Sequence, residues 1–145
     1  MKNQSTELAY RAFKLTIFYM LVLFSVDAVA QDQIVRKALL TADIGGRLIK
    51  KVDVREIKFR AGQKTALHKH PCPVVNYIVY GKAYYQEEGG ALKTLKAGDV
   101  VYEPADKPIV RFDNASKTKP LIFIPYYLIN DEKVLIEMLP LKPEE

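Results

Sequence analysis

Both histidines of the chain fall in one short segment, His68-Lys69-His70, and the only cysteine, Cys72, lies two residues further on. On a β-strand, residues i and i+2 share a face with Cα atoms ~6.6–7 Å apart. Two imidazoles so placed can converge on one ion, each at ~2.0–2.1 Å, while Lys69 points away. The same pair also suits two hydrogen-bonded histidines ahead of the Pro71 and Pro73 turns, and the spacing alone leaves both readings open. A divalent ion normally needs at least three protein ligands. Cys72 continues the i, i+2, i+4 series, and a thiolate suits zinc or copper; alternatively it is a buried free thiol. Asn76 offers a neutral oxygen from the strand that follows, or a hydrogen bond to a ligand or to the backbone. Glu103, Asp106 and Asp113 are further carboxylate candidates for the third ligand, although each reads more readily as a solvated rim or turn residue. No Gly-x-Ser-x-Gly, no second cysteine and no glycine-rich phosphate loop is present, so nucleophilic, dithiol and phosphoryl-transfer chemistry find no support.

The elements that must position these residues are strands. Lys51 to Arg55 alternates with period two, and Ile57-Lys58-Phe59 resumes one residue out of step, which predicts a bulge between Val54 and Ile57. Val74 to Tyr80 is rich in β-branched and aromatic residues and closes at Gly81. Ala83 to Glu88 and Ala91 to Leu95 flank Gly89-Gly90 and predict a hairpin. Val100 to Glu103 and Ile109 to Phe112 follow. Leu121 to Ile129 is an apolar run of the kind buried on both faces. Val134 to Leu139 reads as a last strand or a short helix. Short strands about ten residues apart, joined by Gly and Pro turns, predict an all-β sandwich or barrel.

The glycines and histidines extend this reading. Gly62, five residues, His68-x-His70 and then Gly81 resembles the first sequence motif of the cupin family. Gly98, five residues and Pro104, with Asp113-Asn114 near the asparagine end, resembles the second. The hairpin at Gly89-Gly90 separates the two, as in small single-domain cupins. The resemblance covers roughly residues 50–128 and implies an antiparallel double-stranded β-helix, or jelly-roll barrel. It also implies a site of three histidines and one carboxylate holding iron, manganese, nickel, copper or zinc. His68 and His70 match that site. Val74 stands where the glutamate would be and Ile109 where the third histidine would be, so half the expected ligand set is absent. Arg111, near that last position, would clamp a substrate carboxylate bidentately if it faced inward. Tyr80 shares the parity of Asn76 and is expected to line the pocket. The family spans enzymes and binding proteins and is often dimeric. Three roles follow as expectations: a metal-dependent barrel acting on or binding a small organic molecule, a metal-free small-ligand barrel, and a homodimeric interaction module.

The first thirty residues read as an address. Lys2, Arg11 and Lys14 precede twelve uncharged residues, Leu15 to Val26, and Ala28-Val29-Ala30 has the small-x-small form read by signal peptidase. Cleavage is expected after Ala30, giving a periplasmic or secreted protein. Twelve residues rise only ~18 Å as a helix, too short for a permanent membrane span. Residues 31–50 are expected to form an arm or edge strand, 51–140 the barrel and 141–145 a polar tail. At 145 residues, net charge +5 and 49% hydrophobic residues, the chain suits one domain with a real core. Its basic residues are scattered and never clustered, which argues against nucleic-acid binding.

Overall fold

The computed structural model of this chain describes residues 3–23 and 34–140. Two units are distinguished, residues 1–36 and residues 37–145. The first carries helix α1 (Gln4–Leu23), which begins where the Thr6 hydroxyl donates to the Asn3 carbonyl at 2.6 Å. The expected cleavage point at Ala30 and the tail 141–145 lie outside the described residues. Among the described residues no helix is long and apolar enough to cross a membrane.

The second unit holds ten strands: β1 (Lys51–Val54), β2 (Ile57–Phe59), β3 (His68–Lys69), β4 (Val74–Tyr80), β5 (Lys82–Glu87), β6 (Lys93–Lys96), β7 (Val100–Glu103), β8 (Ile109–Asn114), β9 (Leu121–Ile129) and β10 (Glu137–Met138). They form two antiparallel sheets. One runs β1-β9-β4-β7, with β2 also paired to β9, and the other runs β10-β3-β8-β5-β6. The all-β, antiparallel architecture expected from the turn spacing is therefore present. The β5–β6 hairpin pairs Lys82 with Lys96 through Tyr85 with Lys93. Residues 134–139 form no helix, and only Glu137 and Met138 pair, with Lys69 and His68.

Two details depart from the sequence-based expectations. There is no bulge between Val54 and Ile57. Lys51↔Ile129 and Ile57↔Phe123 belong to one uninterrupted register, so Val52 and Val54 point outward and are exposed. The apparent slip arose from assuming that both valines face the core. Second, β9 alternates buried and partly exposed residues, with Tyr126 exposed, so only one of its faces is fully covered. Of residues 31–50, expected as an arm or edge strand, the described residues 34–50 form no strand. Within the second unit the segment near Leu39 to Ile44 runs beside Val75, Tyr102 and Leu128 on the outward face of the first sheet.

Between the sheets lies the core, with Phe59, Phe112 and Phe123 at its centre. Phe59 meets Phe123 edge to face at 5.2 Å, and Phe112 and Phe123 tilt together at 4.7 Å. A second cluster of Cys72, Val74, Tyr127 and Ile129 closes one end. Gly81 ends β4 at φ +90°, where a Cβ would stand 2.5 Å from the Pro120 carbonyl oxygen. Gly81→Ala therefore combines a left-handed strain with a backbone clash. It is expected to cost at least about 1–3 kcal/mol, to be measured as a fall in the urea unfolding midpoint at unchanged slope.

Candidate metal centre

The second sheet contributes His68, and the chain then leaves that sheet through residues 70–73 to enter the first as β4. His68 and His70 thus project into the barrel from one side, and Asn76 on β4 comes from the other. The imidazole centroids are 5.2 Å apart at 81°. His68 is 3% exposed and His70 6%. They line a cavity of about 190 Å³ together with Asn76, Glu103, Tyr127 and an apolar wall.

Hydrogen bonding fixes the tautomers. His68 Nδ1 lies 2.8 Å from the Ala66 carbonyl oxygen and His70 Nδ1 lies 2.5 Å from that of Leu135. A carbonyl only accepts, so each Nδ1 carries the proton and donates it. Each Nε2 is thereby left for another partner, the arrangement that orients histidines for metal ligation. A further clamp comes from the β7–β8 loop, where Asp106, at φ 60°, donates its backbone N–H to the His70 carbonyl at 2.7 Å.

The residue that sequence reasoning set aside as a rim carboxylate is Glu103. It is 1% exposed, it lines the cavity, and its Oε2 lies 3.0 Å from His70 Nε2. Beyond that contact neither carboxylate oxygen has a hydrogen-bond donor. Because His70 Nδ1 already donates to Leu135, the short Nε2–Oε2 contact requires a second proton between the two groups. Glu103 pairs directly across the ladder with Val74, and both are buried. The carboxylate missing from position 74 is thus found on the same rung of the neighbouring strand. The signal was available: Val101 and Glu103 alternate inward on β7, but a charged residue beside Pro104 reads first as a rim residue.

The other expected site residues stand apart. Cys72 is fully buried in the cluster with Val74 and Tyr127 and does not line the cavity. The crossing between sheets at Pro71 and Pro73 ends the alternation that would have aimed it at the histidines. Burial, reinforced by the negative charge of Glu132, raises its pKa and disfavours the thiolate a metal would need. Tyr80 is 46% exposed, because the register shifts between Ile78 and Tyr80 and turns its ring outward. Arg111 lies on the outward face of the second sheet, where an irregularity opposite Gln86 and Glu87 breaks the alternation of β8. Its Nε donates to Asp113 at 2.8 Å and its guanidinium sits 4.5 Å over the Tyr84 ring. Ile109, at the place of the third histidine, is fully buried opposite His68.

The two histidines are driven in opposite directions. Burial lowers the pKa of His68, against the pull of the Ala66 carbonyl and Glu103. Burial acts on His70 too, but the bond to Glu103, its charge and the Leu135 carbonyl outweigh it, and the pKa is raised. Tyr127 on the cavity wall is pushed up to about 12, by burial first and then by Glu103, and stays a neutral hydroxyl. Between the lowered His68 value and 6.5 the unfolded chain binds more protons at this residue, so stability rises with pH. Between 6.5 and the raised His70 value the folded chain binds more, so stability falls with pH. In chelator-treated protein the histidine contribution is therefore expected to peak near pH 6.5. His68→Ala should remove the acid limb and His70→Ala the alkaline one, as followed by urea unfolding against pH. Imidazole NMR titrations that ran in the reverse order would refute the assignment.

As the side chains stand, no group of three His, Cys, Asp or Glu among the described residues forms a ready metal cluster. The donor chemistry nevertheless fits a transition metal: two Nε2 atoms freed by backbone acceptors, and one enclosed carboxylate without other donors.

Two antiparallel sheets closed over an interior histidine–carboxylate site make this a double-stranded β-helix, and the fold is that of the cupins. The chain is similar to a cupin-like protein from Thermotoga maritima, with 30% identity over 61% of this chain and 64% of that one, at a TM-score of 0.51. It is similar to a mutant form of oxalate decarboxylase from Bacillus subtilis, with 25% identity over 62% of this chain and 24% of that one, at 0.53. A second structure of that enzyme concerns its Mn(II) centres. A DMSP lyase from Ruegeria pomeroyi shares the fold at 21% identity, over 60% of this chain and 42% of that one, with a TM-score of 0.53. The matched region spans less than two thirds of each of these proteins. No protein-family model and no curated protein matches the sequence.

Proposed function

We propose that this is an exported cupin barrel that takes a divalent transition metal on His68, His70 and Glu103 and acts on or binds a small organic molecule in the adjoining cavity. The observation that carries the reading is the enclosed Glu103 carboxylate, 3.0 Å from one freed Nε2 and otherwise without donors. An unsatisfied buried carboxylate is costly to keep, and a cation is the partner that removes the cost. The Mn(II) centres of the similar oxalate decarboxylase add support. When bound, such an ion supplies Lewis-acid chemistry at the cavity. Asn76 and the Tyr127 hydroxyl would orient a ligand there, and the apolar wall would exclude water. Export is supported by the order of charged, apolar and small residues from Lys2 to Ala30. The exposed Val52, Val54, Val79 and Tyr126 on the outward face of the first sheet support a homodimer.

A second reading is favoured by one feature. The His70–Glu103 pair already shares a proton, so the barrel closes without an ion and a metal-free ligand-binding role also fits. Elemental analysis of untagged protein purified from a periplasm separates the two. Near-stoichiometric metal, lost in His68→Ala/His70→Ala, is expected. Metal below about a tenth per chain and unmoved by added ions would establish the metal-free barrel. The same preparation should give an intact mass beginning at Gln31 and a light-scattering mass of two copies.

A further inference from the structure

The chemistry of the cavity wall narrows what the barrel can hold. Beyond the polar groups of His68, His70, Glu103, Asn76, Tyr127 and Thr65, it is built from Ile57, Phe59, Phe112, Phe123 and Ile136. Among the described residues no lysine or arginine lines it: Lys69, between the two histidines, pairs with Asp106 and Glu137, and Arg111 is spent outside on Asp113. A ligand carboxylate would lose its hydration and meet neutral donors but no lysine or arginine, and it would face the buried charge of Glu103, which disfavours it. The volume, about 190 Å³, sets the size. An apolar protein cavity of ~150 Å³ accommodates benzene, so one six-membered ring with a small substituent fills this one. The mutually tilted phenylalanines offer both ring faces and ring edges to such a guest. At the polar end His68 gives its Nδ1 proton to the Ala66 carbonyl and keeps Nε2 as an acceptor, so the complementary group on the ligand is a hydroxyl or amine N–H.

We propose that the barrel selects small neutral single-ring compounds carrying one hydrogen-bond donor, the phenol class, over carboxylates and dicarboxylates. The proposal deepens the reading of the cavity as an organic-ligand site, but it does not depend on a metal being bound. The hydroxyl donates to the Nε2 of His68, and the ring rests against Phe59, Phe112 and Phe123.

The test uses the full protein, once treated with chelator and once saturated with zinc, with phenol, benzoate and oxalate as probes. Binding is followed by calorimetry and by shifts of the two histidine ring signals. In the chelator-treated form phenol is expected to bind at least about tenfold more tightly than either carboxylate. Ile57→Trp and Ile136→Trp each fill the cavity, one from within and one at its half-exposed mouth. Both are expected to abolish phenol binding, and Ile136→Trp should keep the parent unfolding midpoint. Carboxylates binding as tightly as phenol, or phenol binding that survives both fillings, would overturn the assignment. So would the absence of phenol binding in both forms. Metal uptake is measured on the same samples. Uptake without phenol binding sinks only this inference, and phenol binding without uptake sinks only the metal reading.

Discussion

Changing His70 to leucine while Glu103 stays in place is expected to lower the stability of the metal-free protein by about 3–5 kcal/mol. The substitution leaves a carboxylate that is 1% exposed without its one charge partner. Removing both members together, His70→Leu with Glu103→Leu, should recover the loss. Replacing a buried pair by apolar side chains of similar volume is neutral or stabilising by ~1–4 kcal/mol in other proteins. The non-additivity is the informative quantity, and urea unfolding of the two single variants and the double variant in chelator measures it. A double variant more stable than the parent would mean that the pair is retained at the expense of stability, as a functional group is. Additive losses would mean that the 3.0 Å contact has no energetic coupling.

Saturation with the cognate divalent metal is expected to raise the unfolding free energy by about 4 kcal/mol when free metal stands ~1,000-fold above Kd. The gain should vanish in His68→Ala, because the Ala66 carbonyl holds Nδ1 of this ring and leaves its Nε2 free to ligate. Glu103→Gln should lose most of it as well, while keeping a polar side chain of the same size against His70. Cys72→Ser should keep it, since the thiol lies in a separate cluster. Thermal unfolding with and without chelator reads all three. A midpoint that moves equally in parent and His68→Ala would place the metal elsewhere.

Much of this barrel was legible from the chain. Glycines at 62, 81, 89 and 98 adopt positive φ and punctuate the strands where their spacing said they would. The misreadings share a physical cause, the assumption that pattern fixes facing. Val52 and Val54 are apolar yet outward, because the pairing of β1 and β2 with β9 holds one register. Tyr80 and Arg111 lie beyond irregularities in their strands, which reverse the parity counted from the residues before them. Cys72 sits where the chain passes from one sheet to the other, so no strand period carries across it. Glu103 was hidden differently. Its partner in the site is 33 positions away in sequence, and only the β4–β7 pairing reveals that Val74 and Glu103 meet.

That cross-strand pair has a consequence for how such sites change over time. Adjacent strands offer two anchor points for one acidic group, so the acid can migrate sideways without the barrel being rebuilt. A lineage could gain glutamate on one strand, pass through a form with both, and discard the original. Comparing barrels by aligned columns would score the result as a loss of function. Comparing them by the three-dimensional neighbourhood of the imidazoles would score it as the same charge supplied from a different address.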